Sequence, residues 1–531
     1  MRIDTILTNV NAVTIDPARP GARRIGIHHG RVVGLDEELD GVRATWVEDL
    51  EGATVVPGFN DAHNHMVLYG LSRGELDLSA TGSLEEIYAA VADRARTQPD
   101  GSWIVGSGYD QNKTGGHPHR DALDRAAPGH PVLLRHTSAH MSVVNSRALT
   151  EAGVLGGAAV PSGGIISLDD DGRPNGLLEE QAQLLVQALR YPYPRGQLVE
   201  AISTAARDYL REGITSCTEA GIGLGWIGHA PDEAAAYQEA LERGLLPVRV
   251  QLMVTSDTVH PGGLGLGLRT GFGDDRLRLG AVKVFSDGSL IGRTAAMCCD
   301  FADDAGNQGY FQADEAQLRD RILSAHAAGW QVATHAIGDR AVDFVLDCYQ
   351  EAQARHPRED SRHRIEHCGV TRPDQLGRLA MLGVVPVPQA AFVGQIGDGM
   401  RAALGEDRVD WCYRHRSFLD AGLVVPGSSD RPVVRGAPLL GIHDMVNRRT
   451  QSGEPLAPHE AVGPLDALRA YTLGSAYAGF DERVKGSITS GKLADLAILS
   501  DDPTTVDPAR IREIEVVATM VGGEFAFGPL L

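Results

Sequence analysis

The amino-acid sequence predicts an α/β fold in which a (β/α)8 TIM-type barrel is joined to a small β-sandwich domain. Three observations support this prediction. Strand-like apolar runs alternate with amphipathic helical segments in the middle of the chain, and both ends consist of short strand-like segments. In addition, His, Lys and Asp residues follow successive strand-like runs. The 531 residues suffice for a barrel of about 250 residues or more together with further domains.

The two ends of the chain are predicted to form one β domain. Short runs typical of strands occur at residues 6–10, 25–27, 31–35, 486–488, 494–499 and 516–521. Gly30 is predicted to form the hairpin turn between the second and third of these runs. We therefore assign residues 1–56 and 483–531 to the β domain and residues 57–482 to the barrel.

Strands and helices alternate between these ends. The predicted helices are residues 198–212, 315–328 and 341–354, and the predicted strands are 214–217, 276–285 and 331–334. Asp314 is the expected N-cap of the second helix, and Gly329 is expected to end it. Residues 101–193 are richer in Gly, Pro and His and break the alternation. We interpret them as an insertion after the first barrel strand.

The composition excludes several classes of protein. Hydrophobic residues make up 43% and charged residues 22% of the chain, which excludes a disordered protein. The net charge of −21 disfavours binding to nucleic acids and to anionic membranes. The expected partner is a small-molecule substrate, and a homo-oligomer remains open.

The cysteines and the N-terminus indicate a cytoplasmic protein. None of the six cysteines forms a C-x-x-C pair, so we expect reduced thiols. Residues 1–20 lack the apolar core of a signal peptide. The uncharged stretch 379–397 contains prolines and glutamines, and we assign it to a barrel strand and its loop instead of a membrane helix.

The sharpest local motif is His63-Asn64-His65, which follows the apolar run 54–56. Because residues i and i+2 of a strand point to the same side, both imidazoles can face one space and begin a divalent metal site. The alternative is a pair of hydrogen-bonded loop histidines. We interpret His117-Pro118-His119 as a polar loop and His28-His29 as a solvated turn.

Four further candidate ligands lie within or after strand-like runs: Lys283, His335, His367 and Asp430. Each alone could be a core histidine, a turn residue or a paired lysine. Their spacing supports a common site, because 52 residues separate Lys283 from His335 and 32 separate His335 from His367. One βα unit takes about 30 residues or more. With His63 and His65, the candidates therefore follow strands 1, 4, 5, 6 and 8 and meet at the C-terminal mouth of the barrel.

Six motifs together resemble the amidohydrolase superfamily of metal-dependent hydrolases, in the branch that contains N-substituted formamide deformylase. The motifs are Pro57–His65, Lys283–Ser289, His335–Ala341, His363–His367, Gly427–Pro432 and Gly486–Leu496. The resemblance covers nearly the whole chain. One departure is Gly427-Ser428-Ser429-Asp430-Arg431-Pro432, where this branch usually has Gly-Ser-Asp-Ala-Pro.

The resemblance implies a ligand set and a mechanism. It implies that His63 and His65 hold one divalent ion, zinc by preference, and that His335 and His367 hold a second ion if one is present. Lys283 would react with carbon dioxide to give a carbamate that bridges the ions. Asp430 would be both a metal ligand and the general base for a metal-activated water.

Further residues are expected to contact the substrate or to orient the metal ligands. Tyr109, Asp110 and His140 lie in segments that resemble the substrate-side loops of this branch. Arg293 follows Lys283 closely and is expected to bind a carboxylate or carbonyl of the substrate. Asp339 and Glu366 lie close to ligands in the sequence and are expected to orient them.

The expected function is hydrolysis of a C–N bond in an amide or N-formyl compound. One alternative is a cyclic amide hydrolase or a deaminase that uses the same metal site. An alternative of another class is a catalytically silent regulatory or binding protein with the same fold. The complete ligand set favours an enzyme, because a binding protein has no need for an activated water.

Overall fold

The computed structural model of the protein describes residues 2–260 and 266–529. Its strands, numbered in chain order, are β1 (Arg2–Thr8), β2 (Asn11–Val13), β3 (Gly21–Ala22), β4 (Ile25–His28), β5 (Arg31–Leu35), β6 (Arg43–Asp49), β7 (Thr54–Pro57), β8 (Phe59–Asn64), β9 (Leu76–Asp77), β10 (Ile104–Tyr109), β11 (Val132–His136), β12 (Met141–Val144), β13 (Gly164–Leu168), β14 (Pro174–Glu180), β15 (Ile214–Ile222), β16 (Arg249–Thr255), β17 (Leu277–Phe285), β18 (Val332–Ala336), β19 (Arg364–His367), β20 (Val385–Val387), β21 (Leu496–Leu499), β22 (Val516–Val521) and β23 (Glu524–Phe527).

The α-helices of the described residues are α1 (Met66–Ser72), α2 (Leu84–Ala95), α3 (Gln111–Thr114), α4 (Arg120–Ala126), α5 (Ser146–Glu151), α6 (Leu184–Gln187), α7 (Arg195–Arg211), α8 (Glu233–Glu242), α9 (Ser256–Val259), α10 (Glu315–Ala327), α11 (Asp339–Arg355), α12 (Pro373–Met381), α13 (Ala391–Leu404), α14 (Arg416–Asp420), α15 (Pro438–Asn447), α16 (Pro464–Arg469) and α17 (Ser475–Ala478). Asp314 caps α10 as predicted, since its side chain accepts a hydrogen bond from the amide of Ala316 at 2.9 Å.

Seven parallel strands form the barrel sheet, in the order β8, β15, β16, β17, β18, β19, β20. The segment 424–430 fills the eighth position without forming a regular strand. It is joined to β8 by hydrogen bonds, since the amide of Ala62 donates to the carbonyl of Gly427 at 3.0 Å and that of Asp430 to His63 at 2.7 Å. The predicted α/β barrel fold is confirmed, with an irregular eighth strand.

Three alanines and one methionine form one packed layer of the barrel strands. Ala220, Met253, Ala281 and Ala333, one from each of β15 to β18, contact one another and are buried. Lys283 lies two residues beyond Ala281 on β17 and therefore points to the same side, nearer the C-terminal mouth. This apolar layer lies below the C-terminal mouth of the barrel, and the polar side chains lie above it.

The two ends of the chain meet in adjoining sheets. β1, β4, β5 and β6 form a four-stranded sheet, while β2, β3 and β7 share a six-stranded sheet with β21, β22 and β23. β7 pairs antiparallel with β21, which joins the N-terminal and C-terminal segments. Leu7, Val55, Leu496 and Met520 share one buried cluster. Gly30 forms the predicted turn with φ of +72°, a conformation that favours glycine.

A further six-stranded sheet, β9 to β14, lies between the first and second barrel strands in the chain. It includes Leu76–Asp77, which precedes the range 101–193 predicted for the insertion. The uncharged stretch 379–397 contributes strand β20, but from Ala391 it is helix α13 instead of the predicted loop. Among the described residues, no helix has both the length and the apolar character that a membrane crossing requires.

Candidate metal centre

The predicted ligands converge at the C-terminal ends of barrel strands. His63, His367 and Asp430 are buried, and each offers a ligand atom within 4.8 Å of the others. The Nε2 atoms of His63 and His65 lie 3.3 and 3.2 Å from the same oxygen, Oδ1 of Asp430. Asp430 therefore lies between the two imidazoles of the His-x-His motif.

Glu366 fixes the orientation of His63. Nδ1 of His63 contacts Oε2 of this carboxylate, which also accepts hydrogen bonds from Arg364 at 2.7 and 2.9 Å. All three side chains are buried. Burial alone raises the pKa of Glu366, but the charge of Arg364 and the contact with His63 outweigh it and hold this pKa below its usual range. Nε2 of His63 is left facing Asp430.

His65 faces two carboxylates. Its Nδ1 lies 3.6 Å from Oε1 of Glu219, and its Nε2 faces Asp430. Burial alone lowers the pKa of His65, but the nearby carboxylates of Asp430 and Glu219 outweigh burial and raise it to about 9. The other oxygen of Glu219 accepts hydrogen bonds from the amide of Val67 and the hydroxyl of Tyr237. These contacts hold the carboxylate in place.

His367 is held by an amide side chain. Its Nδ1 lies 2.7 Å from Oε1 of Gln389, which is fully buried. The backbone of His367 has a φ of +70°, an uncommon value for a residue with a side chain. Burial lowers the pKa of His367 to about 3, so its imidazole is neutral and can act as a ligand.

His335 is also neutral but faces a different loop. Its Nε2 lies 3.1 Å from the carbonyl oxygen of Gly288 and 3.4 Å from Oδ1 of Asp287. Its ring centroid is 4.4 Å from that of His367. Burial and the neighbouring histidines hold the pKa of His335 well below its ordinary value. The amides of Ile337 and Gly338 donate to Asp287 and position it against His335.

Lys283 is buried and makes no hydrogen bond to a described residue. Its side chain is 1% exposed, and its Nζ lies 4.7 Å from the centroid of the Phe285 ring. Burial lowers the pKa of Lys283 to about 8, against the opposing charges of Glu366 and Asp430. An appreciable fraction of the amine is therefore uncharged near neutral pH.

Asp430 combines a strained backbone with a strongly acidic side chain. Its φ is +57°, in the left-handed region. Burial alone raises the pKa of Asp430, but the contacts with His63 and His65 outweigh it and hold this pKa well below its usual range. The carboxylate is therefore ionised and can accept either a cation or a proton.

The donor set fits a divalent metal ion. Within the described residues, Nε2 of His63 and Nζ of Lys283 are buried without hydrogen-bond partners, although buried polar atoms are normally paired. Neutral imidazoles and an ionised carboxylate are the ligands that zinc and similar ions take in proteins. A cation would satisfy the histidine nitrogen and Asp430 together.

His140 reaches this centre from the sheet of β9 to β14, directly before β12. Its ring centroid lies 5.0 Å from that of His335, and its Nδ1 lies 2.7 Å from Oε2 of Glu180. Both histidines line a small, partly open cavity at the barrel mouth, which is also lined by His367 and Asp430. Glu180 is fully buried and was not identified from the sequence, because it comes from β14, 40 residues beyond His140.

The other predicted substrate residues do not line this cavity. Tyr109 is buried, with its hydroxyl 3.0 Å from Nδ1 of His117. Asp110 caps α3 by accepting from the amide of Asn112. Arg293 pairs with Asp303 instead of facing the metal ligands.

The two residues expected to orient ligands have different positions. Glu366 contacts His63 directly. Asp339 instead accepts from the amide of Cys298 and pairs with Arg372. Asp287, Glu219 and Gln389 contact predicted ligands but were not identified from the sequence. Of these three residues, only Asp287 lies within one of the family motifs, Lys283–Ser289, so the sequence could have indicated it as a site residue.

Comparisons with known proteins agree with this architecture. N-substituted formamide deformylase of Arthrobacter pascens is 31% identical, over 98% of this chain and 97% of that protein. Protein LONG AFTER FAR-RED 3 of Arabidopsis thaliana is 32% identical, over 98% of this chain and 91% of that protein. A crystal structure of an uncharacterized metal-dependent hydrolase from Pyrococcus horikoshii OT3 superposes with a TM-score of 0.76 at 27% identity, covering 95% of this chain and 99% of that one.

A family model shows where the chain belongs. The model described as the amidohydrolase family matches residues 47–527, nearly the whole chain. The family resemblance predicted from the sequence motifs is thereby confirmed. The chain belongs to the amidohydrolase family and is a metal-dependent hydrolase of carbon–nitrogen bonds.

Proposed function

We propose that this protein hydrolyses the C–N bond of an amide or N-formyl compound at the barrel mouth. The carrying observation is that Asp430, ionised and buried, lies 3.3 and 3.2 Å from the imidazoles of His63 and His65. In this proposal these three residues, with His335 and His367, hold one or two divalent ions, zinc by preference. A bound ion would acidify a water and polarise the carbonyl of the substrate.

Asp430 moves the proton in this proposal. Its low pKa keeps the carboxylate ionised, so Oδ1 can accept a proton from the attacking water. The same carboxyl group can then donate that proton to the nitrogen of the leaving amine. Its position between His63 and His65 holds it within reach of both steps.

Lys283 is the proposed source of a further anionic ligand. Its unpaired, partly neutral amine can attack carbon dioxide, lose a proton and become a carbamate with two oxygens. The product carries a negative charge where the lysine carried a positive one. Such an anion suits a cation between the histidines, whereas a protonated lysine would repel it.

The cavity favours an apolar substituent on the substrate. Its aliphatic and phenyl lining consists of Leu290, Ile291, Ile337, Phe392, Ile396, Met400 and Val433. An apolar group would be stabilised here by removal from water. This lining and the similarity to an N-substituted formamide deformylase support an N-substituted formamide with an apolar substituent as the substrate class.

The test combines metal analysis with a substrate panel. Protein purified without chelator should contain at least about one equivalent of divalent metal. It should release formate and amine from N-substituted formamides faster than it opens hydantoins or deaminates aminopurines. Asp430→Asn should reduce turnover by about 10²–10⁴-fold in a folded protein. A metal-free protein with full activity, or a preference for the ring substrates, would contradict the proposal.

A further inference from the structure

Strand β6 is an edge strand that exposes large apolar side chains. It lies at the end of the four-stranded sheet, next to β1, and no described strand pairs with its other edge. Trp46 is 70% exposed and Val47 is 63% exposed, although they point to opposite faces of the sheet. An edge of this kind invites pairing with another chain unless it is blocked by Pro or Lys, and β6 contains neither.

The free edge of β6 has a defined set of backbone groups. The amide of Leu50 donates to the carbonyl of Thr8 on β1, so the even-numbered residues of β6 direct their backbone groups toward β1. The alternating pleat then directs the N–H and C=O groups of Arg43, Thr45, Val47 and Asp49 outward. These four residues supply a complete ladder for one more strand.

We propose that two copies of this chain pair antiparallel through β6, about a two-fold axis that passes beside Trp46. In this register Thr45 pairs with Val47 of the second copy, and Arg43 pairs with Asp49. Both pairs involve outward-directed backbone groups, as a hydrogen-bonded antiparallel pair requires. The two four-stranded sheets become one continuous sheet.

Charge and shape favour this register. Arg43 and Asp49 are both exposed, and this register forms two Arg43–Asp49 pairs of opposite charge, one on each side of the axis. Trp46 lies directly opposite Trp46 of the second copy. The two residues form a non-hydrogen-bonded antiparallel pair, in which facing side chains approach most closely. A register centred on Val47 would instead place Trp46 opposite Glu48 and Arg43 opposite Glu51, which lies in the turn beyond the end of β6.

The first test is the oligomeric state in solution. Sedimentation velocity of the full chain at micromolar concentration should show a dimer. Trp46→Asp should give a monomer with unchanged secondary structure. The matched control is Met381→Asp, which alters an equally exposed apolar residue, 71% exposed, at the end of α12 and should remain dimeric. A monomeric wild type, or a dimer that survives Trp46→Asp, would overturn the proposal.

Charge reversal tests the register. Arg43→Asp and Asp49→Arg should each raise the dimer Kd by about tenfold or more, since each creates like-charge pairs across the axis. The double variant restores both opposite-charge pairs and should recover the original Kd. If the two effects simply add in the double variant, the two residues do not face each other.

A cysteine trap locates the axis. The background for this test is Cys298→Ser with Cys299→Ser, which removes the exposed thiols. In this background, Trp46→Cys should form a disulfide between two copies of the protein when oxidised glutathione is added as the oxidant. The expected spacing of about 4.5–5.5 Å between facing Cα atoms suits a disulfide. Faster crosslinking through Val47→Cys would contradict the Trp46 register, and no crosslink in either variant would contradict pairing through β6.

Discussion

Arg364 donates to both carboxylate oxygens of Glu366, two residues further along β19, at 2.7 and 2.9 Å. The two side chains point to the same side of the strand, where Glu366 also contacts Nδ1 of His63. Through these contacts, the rigid barrel strand β19 fixes the position of His63, a candidate metal ligand. The buried guanidinium keeps the carboxylate ionised.

Glu366→Gln should weaken metal binding and destabilise the fold together. The amide lacks the charge that orients His63, so we expect metal affinity to fall by about 10–100-fold. Arg364 would also lose its buried counter-charge, at a cost of about 3–5 kcal/mol in unfolding free energy. Chelator competition measures the first effect and urea unfolding of the metal-free protein the second.

The control for this variant is a second buried pair. Glu460 accepts from Arg414 at 3.0 Å, and its side chain is fully buried. Glu460→Gln should therefore lower stability by a similar amount while leaving metal affinity unchanged. Equal metal affinities in Glu366→Gln and the wild type would show that Glu366 is only a structural partner of Arg364.

Lys283→Ala should lose metal and activity together, because it removes the residue proposed to supply a bridging anion. Acetate or propionate should restore part of the activity, since a small carboxylate can occupy the vacated space. The same acids should not help His335→Ala, in which an imidazole is missing. Lys283→Arg should stay inactive, because a guanidinium remains charged and cannot form the carbamate. If Lys283→Ala keeps its full metal content and its full turnover rate, Lys283 is not a metal ligand and has only a structural role.

The sequence predicts the arrangement at the barrel mouth better than its surroundings. Lys283, His335 and His367 lie near the C-terminal ends of the adjacent parallel strands β17, β18 and β19. Their spacing in the sequence predicts that they share one mouth of the barrel, and the structure places them there. The pairing of Arg293 with Asp303 could not be predicted, because it depends on how an irregular loop folds back on itself. Glu180 was missed for a similar reason, since only the β12–β14 pairing brings it to His140.

The fold shows the same division. The strands of the barrel and of the terminal sheets were predicted where apolar residues form compact runs. Within the insertion, strands such as Gly164–Leu168 are half-buried and interrupted by glycine and polar residues, so the local pattern resembles a loop. The segment 424–430 has the apolar pattern of a strand but forms an irregular one, because its end turns Asp430 toward the histidines.

Stability should fall as the pH is lowered from about 6.5 to 4. Burial lowers the pKa of His117 to about 4, whereas a histidine in the unfolded chain titrates near 6.5. The unfolded state therefore binds more protons in this window, which costs the folded state about 3 kcal/mol by its lower end. The pH dependence of urea unfolding measures this loss.

His117→Phe should flatten that pH dependence. The variant leaves the hydroxyl of Tyr109 without its partner, so its absolute stability should be lower at pH 7. Between pH 6.5 and 4, however, it should lose less stability than the wild type. An identical slope in the two proteins would show that His117 is not the group that titrates.

Two glycines should respond in opposite directions to alanine. A Cβ at Gly70 in α1 would lie 2.0 Å from the carbonyl oxygen of Ala201 in α7, so Gly70→Ala should separate the two helices and destabilise the protein by about 1–3 kcal/mol or more. At Gly377 in α12 a Cβ meets no atom within 4 Å. Gly377→Ala should therefore stabilise by about 0.4–1 kcal/mol. Thermal unfolding midpoints of the two variants measure the contrast, and a lower midpoint for Gly377→Ala would contradict it.

The pairing of β7 with β21 has a consequence for synthesis on the ribosome. Pro57 and Leu496 are 439 positions apart, so β7 waits for most of the chain to be translated before its partner exists. At about 5–20 residues per second, that delay is about 20–90 s. During this time β7 and the strands beside it present an unpaired apolar edge. Nascent chains are therefore most accessible to chaperones and most prone to aggregation in this interval. A product truncated before Leu496 lacks β21, so the edge of β7 stays unpaired.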